Sequence, residues 1–152
     1  MTLSLALYHP QIPQNAGTLL RLSACLGIPM DLIRPFGFIF DDKKLQRAGM
    51  DYIKFADYKI HDSFGFFRKK YSHRRFIALD IGENSIAHYD FKYESGDILI
   101  VGSEHYGFLK EDLEKIRHKV RIPMKPNRRS LNMAVAAAIV LSEAISQLRC
   151  WQ

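Results

Sequence analysis

Short apolar runs alternate along this chain with longer segments in which apolar residues recur every three or four positions. The short runs, bounded by proline, glycine or polar clusters, predict strands at residues 3–8, 30–33, 52–55, 76–80, 98–101 and 120–122. Helices are predicted at residues 16–26, 41–49, 62–71, 110–118 and 131–148, and residues 82–96 are polar and turn-like. This alternation predicts a single α/β domain over residues 1–152, with a mainly parallel sheet flanked by helices.

The last strand, the loop after it and the last helix form the most informative segment. Pro123 stops the strand, residues 124–129 form a basic, turn-rich loop, and Ser130 is the predicted N-cap of the helix. Between residues 131 and 145 this helix carries one charge, Glu143, and many alanines. Such a helix is expected to be buried on more than one face, and in a chain of this length the second face indicates a subunit interface.

Two other segments carry candidate functional residues, one in a helix and one directly after a strand. Arg21 lies off the apolar stripe of its helix, among small residues, and is therefore either a solvated surface arginine or a functional one. Gly102 and Gly107 flank Glu104 directly after a buried strand, where glycine allows a ligand to approach the backbone. In parallel sheets ligands bind at the carboxyl ends of the strands, which makes this loop a candidate site.

Composition and charge narrow the possible functions. A chain of 152 residues with 47% apolar content can bury its own core, and its formal net charge of +6 favours an anionic partner such as nucleic acid. The densest positive run, residues 68–75, is either a solvated helix end or a contact for that partner. The chain has no P-loop, GxGxxG, GxSxG or HExxH motif.

The cysteines and the apolar runs bear on compartment and metal binding. Cys25 and Cys150 lie far apart and the histidines have no ligand spacing, so no disulfide and no metal site are expected. Cys25 is predicted to be a small core or interface residue. No run reaches the ~18 apolar residues of a membrane span, and a soluble cytoplasmic protein is expected.

Three segments together resemble a known family: IPQNAGTLLRLSACLG, ILIVGSEHYGF and VRIPMKPNRRSLNMAVAAAIVLSEA. They are similar to SPOUT-class RNA methyltransferases, and PFGFIFDDKKLQRAGMDY resembles the minimal subgroup that methylates the ribose of the wobble nucleotide, position 34, of tRNA. The resemblance covers nearly the whole chain. It implies a C-terminal trefoil knot, S-adenosylmethionine as cofactor, the tRNA anticodon stem-loop as substrate, with cytidine or carboxymethylaminomethyl-uridine as target, and a homodimer formed through the C-terminal helix.

The resemblance also implies roles for particular residues. Arg21 corresponds to the family's catalytic arginine, supplied across the dimer interface, and Asn15 heads the same motif. Because an arginine side chain stays protonated, Arg21 is expected to orient the ribose hydroxyl and stabilise developing negative charge rather than act as a base. The cofactor is expected to be held, largely by backbone groups, at Leu79, Gly102, Glu104, Gly107, Ile122, Met124, Ser130, Leu131 and Asn132.

The chain departs from the family pattern at three positions: many relatives have arginine at Tyr106, proline at Ser103 and tyrosine at Ser142. The first two changes are expected to preserve cofactor binding, whereas the third bears on substrate placement. Two alternatives to the tRNA reading are 2'-O-methylation of another RNA, such as rRNA, and a non-catalytic RNA- or nucleotide-binding module.

Overall fold

The computed structural model describes residues 2–41, 43 and 51–149. The strands in these residues are β1 (Ser4–Tyr8), β2 (Met30–Ile33), β3 (Tyr58–His61), β4 (Phe76–Leu79), β5 (Ile86–Ala87), β6 (Ile98–Val101) and β7 (His118–Arg121). The helices are α1 (Pro13–Leu26), a 3₁₀ helix (Asp51–Phe55), α2 (Phe64–Lys70), α3 (Lys110–Leu113) and α4 (Met133–Leu148).

The strands form one sheet in the order β3-β2-β1-β6-β4-β7-β5. Every pairing in it is parallel, so the prediction of a mainly parallel sheet is confirmed. All carboxyl ends therefore lie along one edge of the sheet, and the loops after β4, β6 and β7 leave from neighbouring positions on that edge. Strand order and register show which strands pair, but not whether the chain passes through one of its own loops. The trefoil knot therefore stays a prediction.

Helices cover both faces of the sheet because successive side chains of a strand point to opposite faces, and here both sets of side chains are apolar. Leu5 and Leu7 of β1 belong to the core under α1, α4 and the 3₁₀ helix, whereas Ala6 and Tyr8 belong to the core under α2. The two faces are therefore filled independently, as the period-2 pattern of a doubly covered strand requires.

One predicted element is wrong and another is too long. Residues 52–55 form a 3₁₀ helix instead of a strand, because Ile53 alone among them is buried, and the strand is Tyr58–His61. The helix predicted at residues 110–118 ends at Leu113. After it Ile116 enters the core, and His118–Arg121 is needed as a strand to pair with β4.

The remaining differences are small. The first helix begins at Pro13, three residues earlier than predicted, since proline is favoured in the first helical turn. Ser63 caps α2, and a two-residue strand, β5, lies within the turn-like segment 82–96. The last strand lies at His118–Arg121 rather than at residues 120–122. Most of the helix predicted at residues 41–49 falls outside the described residues.

Membrane and metal features were sought in residues 2–41, 43 and 51–149. No helix there is long and apolar enough to cross a bilayer. The same residues contain no group of three or more histidine, cysteine, aspartate or glutamate side chains that could hold a metal ion.

Candidate functional site

A cleft of ≈ 230 Å³ lies at the carboxyl edge of the sheet, where β4, β6 and β7 end. Its walls come from the three loops that follow these strands and from the first turns of α4. Eight of the nine residues predicted to hold a cofactor line it: Leu79, Gly102, Glu104, Gly107, Ile122, Met124, Ser130 and Leu131. The ninth, Asn132, faces elsewhere.

The cleft also contains Ser103, from the predicted glycine loop, and six residues that were not predicted from the sequence: Asp80, Ile81, Val101, Phe108, Met133 and Ala136. Asp80 is the most informative of them, because it adds a carboxylate directly after β4, where its Oδ2 accepts a hydrogen bond from the amide of Gly82 at 3.2 Å. Its position was visible in the sequence as the polar residue that ends an apolar run. The cleft thus combines apolar walls, backbone polar groups and two carboxylates.

The glycine loop after β6 is closed by its own backbone. The amide of Ser103 donates to the carbonyl of Gly107 at 2.8 Å, and the amide of Gly107 donates to the carbonyl of Ser103 at 2.9 Å. Gly107 has a φ of 63°, and a Cβ on Gly102 would lie 2.9 Å from the carbonyl carbon of Gly107. A side chain at residue 102 would therefore collide with the loop backbone, one at residue 107 would strain it, and backbone forms this wall of the cleft.

Glu104 joins the glycine loop to the start of α1. Its carboxylate accepts hydrogen bonds from the amide of Gln11, at 3.0 and 3.2 Å to its two oxygens, and from the amide of Ile12. Both amides lie directly before the first helical residue, Pro13, so a carboxylate from a distant loop holds the chain that enters α1 and complements the helix dipole. Glu104 therefore positions α1, in addition to lining the cleft.

The prediction that Ser130 caps the last helix is wrong. The N-cap is Asn132, whose Oδ1 accepts hydrogen bonds from the amides of Ala134 at 2.9 Å and Val135 at 3.2 Å. Ser130 lies outside the helix because the chain leaving β7 first runs along the cleft, and Ser130 is part of the cleft lining instead. Of the two polar residues in the SLN sequence, Asn132 caps the helix and Ser130 lines the cleft.

Asn15, one of the two predicted catalytic residues, is bonded to Asn132. The Nδ2 of Asn132 donates to the Oδ1 of Asn15 at 3.0 Å, which links α1 to the start of α4. Asn15 is buried and lies outside the cleft lining. Its side chain therefore contributes to the geometry of the two helices.

Arg21 lies on a different surface from the cleft. It is exposed on α1, with its guanidinium carbon 4.7 Å from the centre of the Tyr52 ring, and it borders a depression of ≈ 600 Å³ between α1 and α4. Val135, 50% exposed, lines the same depression. Cys25 is exposed there too, so its predicted core location is wrong and its interface location stays a prediction.

Tyr106, one of the departures from the family pattern, braces the glycine loop against the end of β1. Its hydroxyl lies 2.8 Å from the Nδ1 of His9, whose ring stacks on Tyr8 with centroids 3.7 Å apart. Burial lowers the pKa of His9 and raises the pKa of Tyr106. A neutral histidine and a neutral tyrosine thus share one hydrogen bond behind the cleft loop.

The densest positive run lies far from the cleft. Residues 68–75 connect the end of α2 to the start of β4, at the amino edge of the sheet. Arg74 donates to the carbonyls of Thr2 at 2.8 Å and Gly96 at 2.6 Å, and Arg75 donates to Asp97 at 2.9 Å. The loop between β7 and α4, part of which lines the cleft, carries three exposed cations: Lys125, Arg128 and Arg129.

A family model and individual relatives both match this chain over most of its length, and all are named as RNA methylases or methyltransferases. The chain matches the SpoU rRNA Methylase family over residues 2–142. A tRNA (cytidine(34)-2'-O)-methyltransferase of Ancylobacter novellus is 40% identical over 148 residues, which cover 97% of this chain and 94% of that protein. The protein of the same name from Escherichia coli strain K12 is 38% identical over 148 residues, with coverage of 96% and 94%.

Solved structures agree with the sequence comparison. One, described as giving structural insights into the 2-OH methylation of C/U34 on tRNA, has a TM-score of 0.90 at 40% identity and covers 97% of both chains. The SpoU methyltransferase AviRb of Streptomyces viridochromogenes, crystallised with AdoMet, has the same fold, with a TM-score of 0.86 at 21% identity over 99% of this chain and 59% of that one. This chain, with its parallel sheet and its cleft between three strand-end loops, belongs to the SpoU rRNA methylase family.

Proposed function

We propose that this protein is a cytoplasmic homodimer that transfers a methyl group from S-adenosylmethionine to the ribose 2'-hydroxyl of nucleotide 34 in tRNA, a cytidine or a modified uridine. One observation carries the proposal: three strand-end loops converge on a cleft in a chain whose relatives, similar over nearly their whole length, are named for this reaction. The family name refers to rRNA, and the first experiment below includes that substrate.

The cleft fits the proposed cofactor. Leu79, Ile122 and Leu131 offer apolar surface for a flat aromatic base, and Gly102 and Gly107 let a ligand approach the backbone of the glycine loop. The carboxylate of Asp80 can accept hydrogen bonds from ribose hydroxyls or from an ammonium group. When bound, S-adenosylmethionine supplies a methyl group made electrophilic by a positively charged sulfur.

Arg21 has the chemistry of an orienting and charge-stabilising group. Its guanidinium is protonated at any physiological pH and offers five N–H donors in a planar fork. It can hold a phosphate and the attacking 2'-oxygen together, and it stabilises negative charge as that oxygen loses its proton. Asn15 and Glu104 support this role indirectly, since both fix the position of α1 through hydrogen bonds.

A homodimer accounts for the separation of Arg21 from the cleft. Val135 and Ile139 are 50% and 38% exposed on α4, which gives this helix an apolar face that a second copy can cover. Arg21 and Cys25 border the same depression on α1. Docking two copies through α1 and α4 can therefore deliver Arg21 of one protomer to the cleft of the other.

The first experiment identifies the substrate. Purified protein is incubated with radiolabelled S-adenosylmethionine and either tRNA or rRNA from a strain that lacks the activity, and nuclease digestion locates the label. We expect label on the ribose of nucleotide 34 of tRNA. Label in rRNA alone contradicts the tRNA assignment, and absence of cofactor binding contradicts the methyltransferase assignment.

The second experiment tests Arg21. Arg21→Ala should lower kcat by at least 100-fold, a typical effect of removing one charge-stabilising donor, while the cofactor Kd and the dimer mass stay unchanged. Arg117→Ala, at an exposed arginine that precedes β7 at the opposite edge of the sheet, is the matched control. Full activity of Arg21→Ala contradicts the proposed role.

Mixed dimers test whether the site is shared. Arg21→Ala protomers keep an intact cleft, and Gly102→Val protomers keep Arg21 but have a distorted glycine loop, because a Cβ at residue 102 would lie 2.9 Å from the backbone of Gly107. If Arg21 acts across the interface, dimers that contain one copy of each variant have one complete site, and mixing two inactive proteins restores activity. If Arg21 acts within its own chain, every site in the mixed dimer carries a lesion and no activity returns.

A further inference from the structure

We propose that Tyr52 and Phe55, together with the cations Arg21 and Lys54, form a surface on which unpaired bases of the substrate RNA loop stack. We call this surface the aromatic face. The inference rests on the proposed function and deepens it, because it assigns the part of the protein that binds the nucleotides flanking the methylated one.

The conformation of residues 51–55 turns the aromatic rings outward. In this 3₁₀ helix only Ile53 is buried, whereas Tyr52 is 40% exposed and Phe55 is 69% exposed. The two rings are neighbours, with centroids 6.3 Å apart at an angle of 62°. Ile53 anchors the segment in the core, so the exposed rings are carried on a fixed element.

Each ring of the aromatic face has a cation close to it. The guanidinium carbon of Arg21 lies 4.7 Å from the centre of the Tyr52 ring, and the Nζ of Lys54 lies 5.1 Å from the centre of the Phe55 ring. Proteins bind unpaired RNA with this combination: bases stack on aromatic rings and the phosphates between them pair with cations.

The position of the aromatic face connects it to the proposed reaction. Arg21 is part of the aromatic face, since it contacts Tyr52, and it is also the group proposed to hold the reacting ribose. Nucleotides on either side of that ribose are covalently tethered to it and must pass close to Tyr52 and Phe55. The protomer that supplies Arg21 therefore also supplies the stacking surface.

Charge favours RNA over a second copy of this chain as the occupant. The aromatic face carries two cations, and the whole chain has a formal net charge of +6. A polyanion gains from both features, whereas two aromatic faces placed directly against each other would bring like charges together. The stacking surface accepts any base, and so it contributes affinity for an unpaired loop rather than sequence selection.

The test compares two exposed phenylalanines on opposite faces of the sheet. Phe55→Leu removes a ring from the aromatic face, and Phe66→Leu removes an equally exposed ring, at 67%, from α2. Methylation of an anticodon stem-loop by the full-length protein is measured for both, with the cofactor Kd and dimer mass as further readouts. Phe55→Leu should raise KM for the RNA about tenfold, as loss of one stacking partner does, and Phe55→Trp should restore it.

The outcomes separate this inference from the proposed function. If the wild-type protein places no methyl group on nucleotide 34, the proposed function fails. If the wild-type protein is active but Phe55→Leu and Phe66→Leu have the same KM, the aromatic face is refuted alone. Loss of the dimer in Phe55→Leu also refutes it, because the ring then belongs to an interface between copies. A raised KM with unchanged cofactor Kd and dimer mass supports it.

Discussion

Replacing Asn132 by alanine should destabilise the protein by about 2 kcal/mol. One part of this effect is the N-cap of α4, since the Oδ1 of Asn132 accepts hydrogen bonds from Ala134 and Val135, and loss of such a cap costs about 1 kcal/mol. The other part is the bond to Asn15, whose buried Oδ1 loses its donor, at about 1 kcal/mol. In a chain of this size the sum corresponds to a Tm lowered by roughly 4–8 °C.

Ser130→Ala is the matched control, because serine is also a good cap but here lies outside the helix. Its stability should stay within about 0.5 kcal/mol of the wild type, as for an ordinary surface substitution. Asn132→Ser separates the two contributions, since its hydroxyl can cap the helix but cannot reach Asn15, and it should lose about half as much as Asn132→Ala.

The assay is urea unfolding followed by far-UV circular dichroism, at one protomer concentration because the stability of the proposed dimer depends on that concentration. A fall in the midpoint at constant m-value measures the expected loss. The reasoning is refuted if Ser130→Ala is destabilised as strongly as Asn132→Ala, or if Asn132→Ala matches the wild type.

Three further variants test the cleft and the loop behind it. Gly102→Ala should weaken S-adenosylmethionine binding in calorimetry, because its Cβ would lie 2.9 Å from Gly107 backbone, whereas Gly65→Ala, with 3.6 Å to its nearest neighbour, should bind normally. Glu104→Gln should cost about 1–2 kcal/mol in urea unfolding, since the two hydrogen bonds lose their charged acceptor and an NH₂ group would face the amide of Gln11; unchanged stability argues against the role of Glu104 in positioning α1. Because burial lowers the pKa of His9, the unfolded chain binds more protons and stability falls as pH drops through about 6.5. His9→Asn, which does not titrate and suits the φ of 49°, should lose less stability between about pH 7 and pH 5; an equal loss contradicts this account.

The sequence was most informative where the relevant signal is local. Strands Met30–Ile33 and Ile98–Val101 lie where their apolar runs predicted them, because such runs between turn residues suit a sheet buried on both faces. The glycines at 102 and 107 were recognisable for a similar reason, since few other residues fit a tight strand-to-loop turn. Resemblance to a family then identified eight residues that meet in the cleft.

Tertiary contacts decided what short segments alone could not. Residues 52–55 contain enough apolar side chains for a strand, but only Ile53 has a place in the core, and the segment forms a 3₁₀ helix with its rings exposed. Ser130 and Asn132 are both good N-cap residues. Asn132 is the N-cap because the chain first runs along the cleft and because Asn132 can also donate a hydrogen bond to Asn15, 117 residues away.

The sequence by itself therefore determined the parallel sheet through apolar periodicity and the glycine loop through local turn chemistry, and family resemblance added eight residues of the cleft. Only the tertiary structure decided where the charges lie. It places the basic run 68–75 at the amino edge of the sheet, uses Arg74 and Arg75 in internal hydrogen bonds, and leaves Arg21 on a surface apart from the cleft. The physical reason is that charge has no periodicity of its own: its position follows from the elements that carry it and from partners distant in the chain.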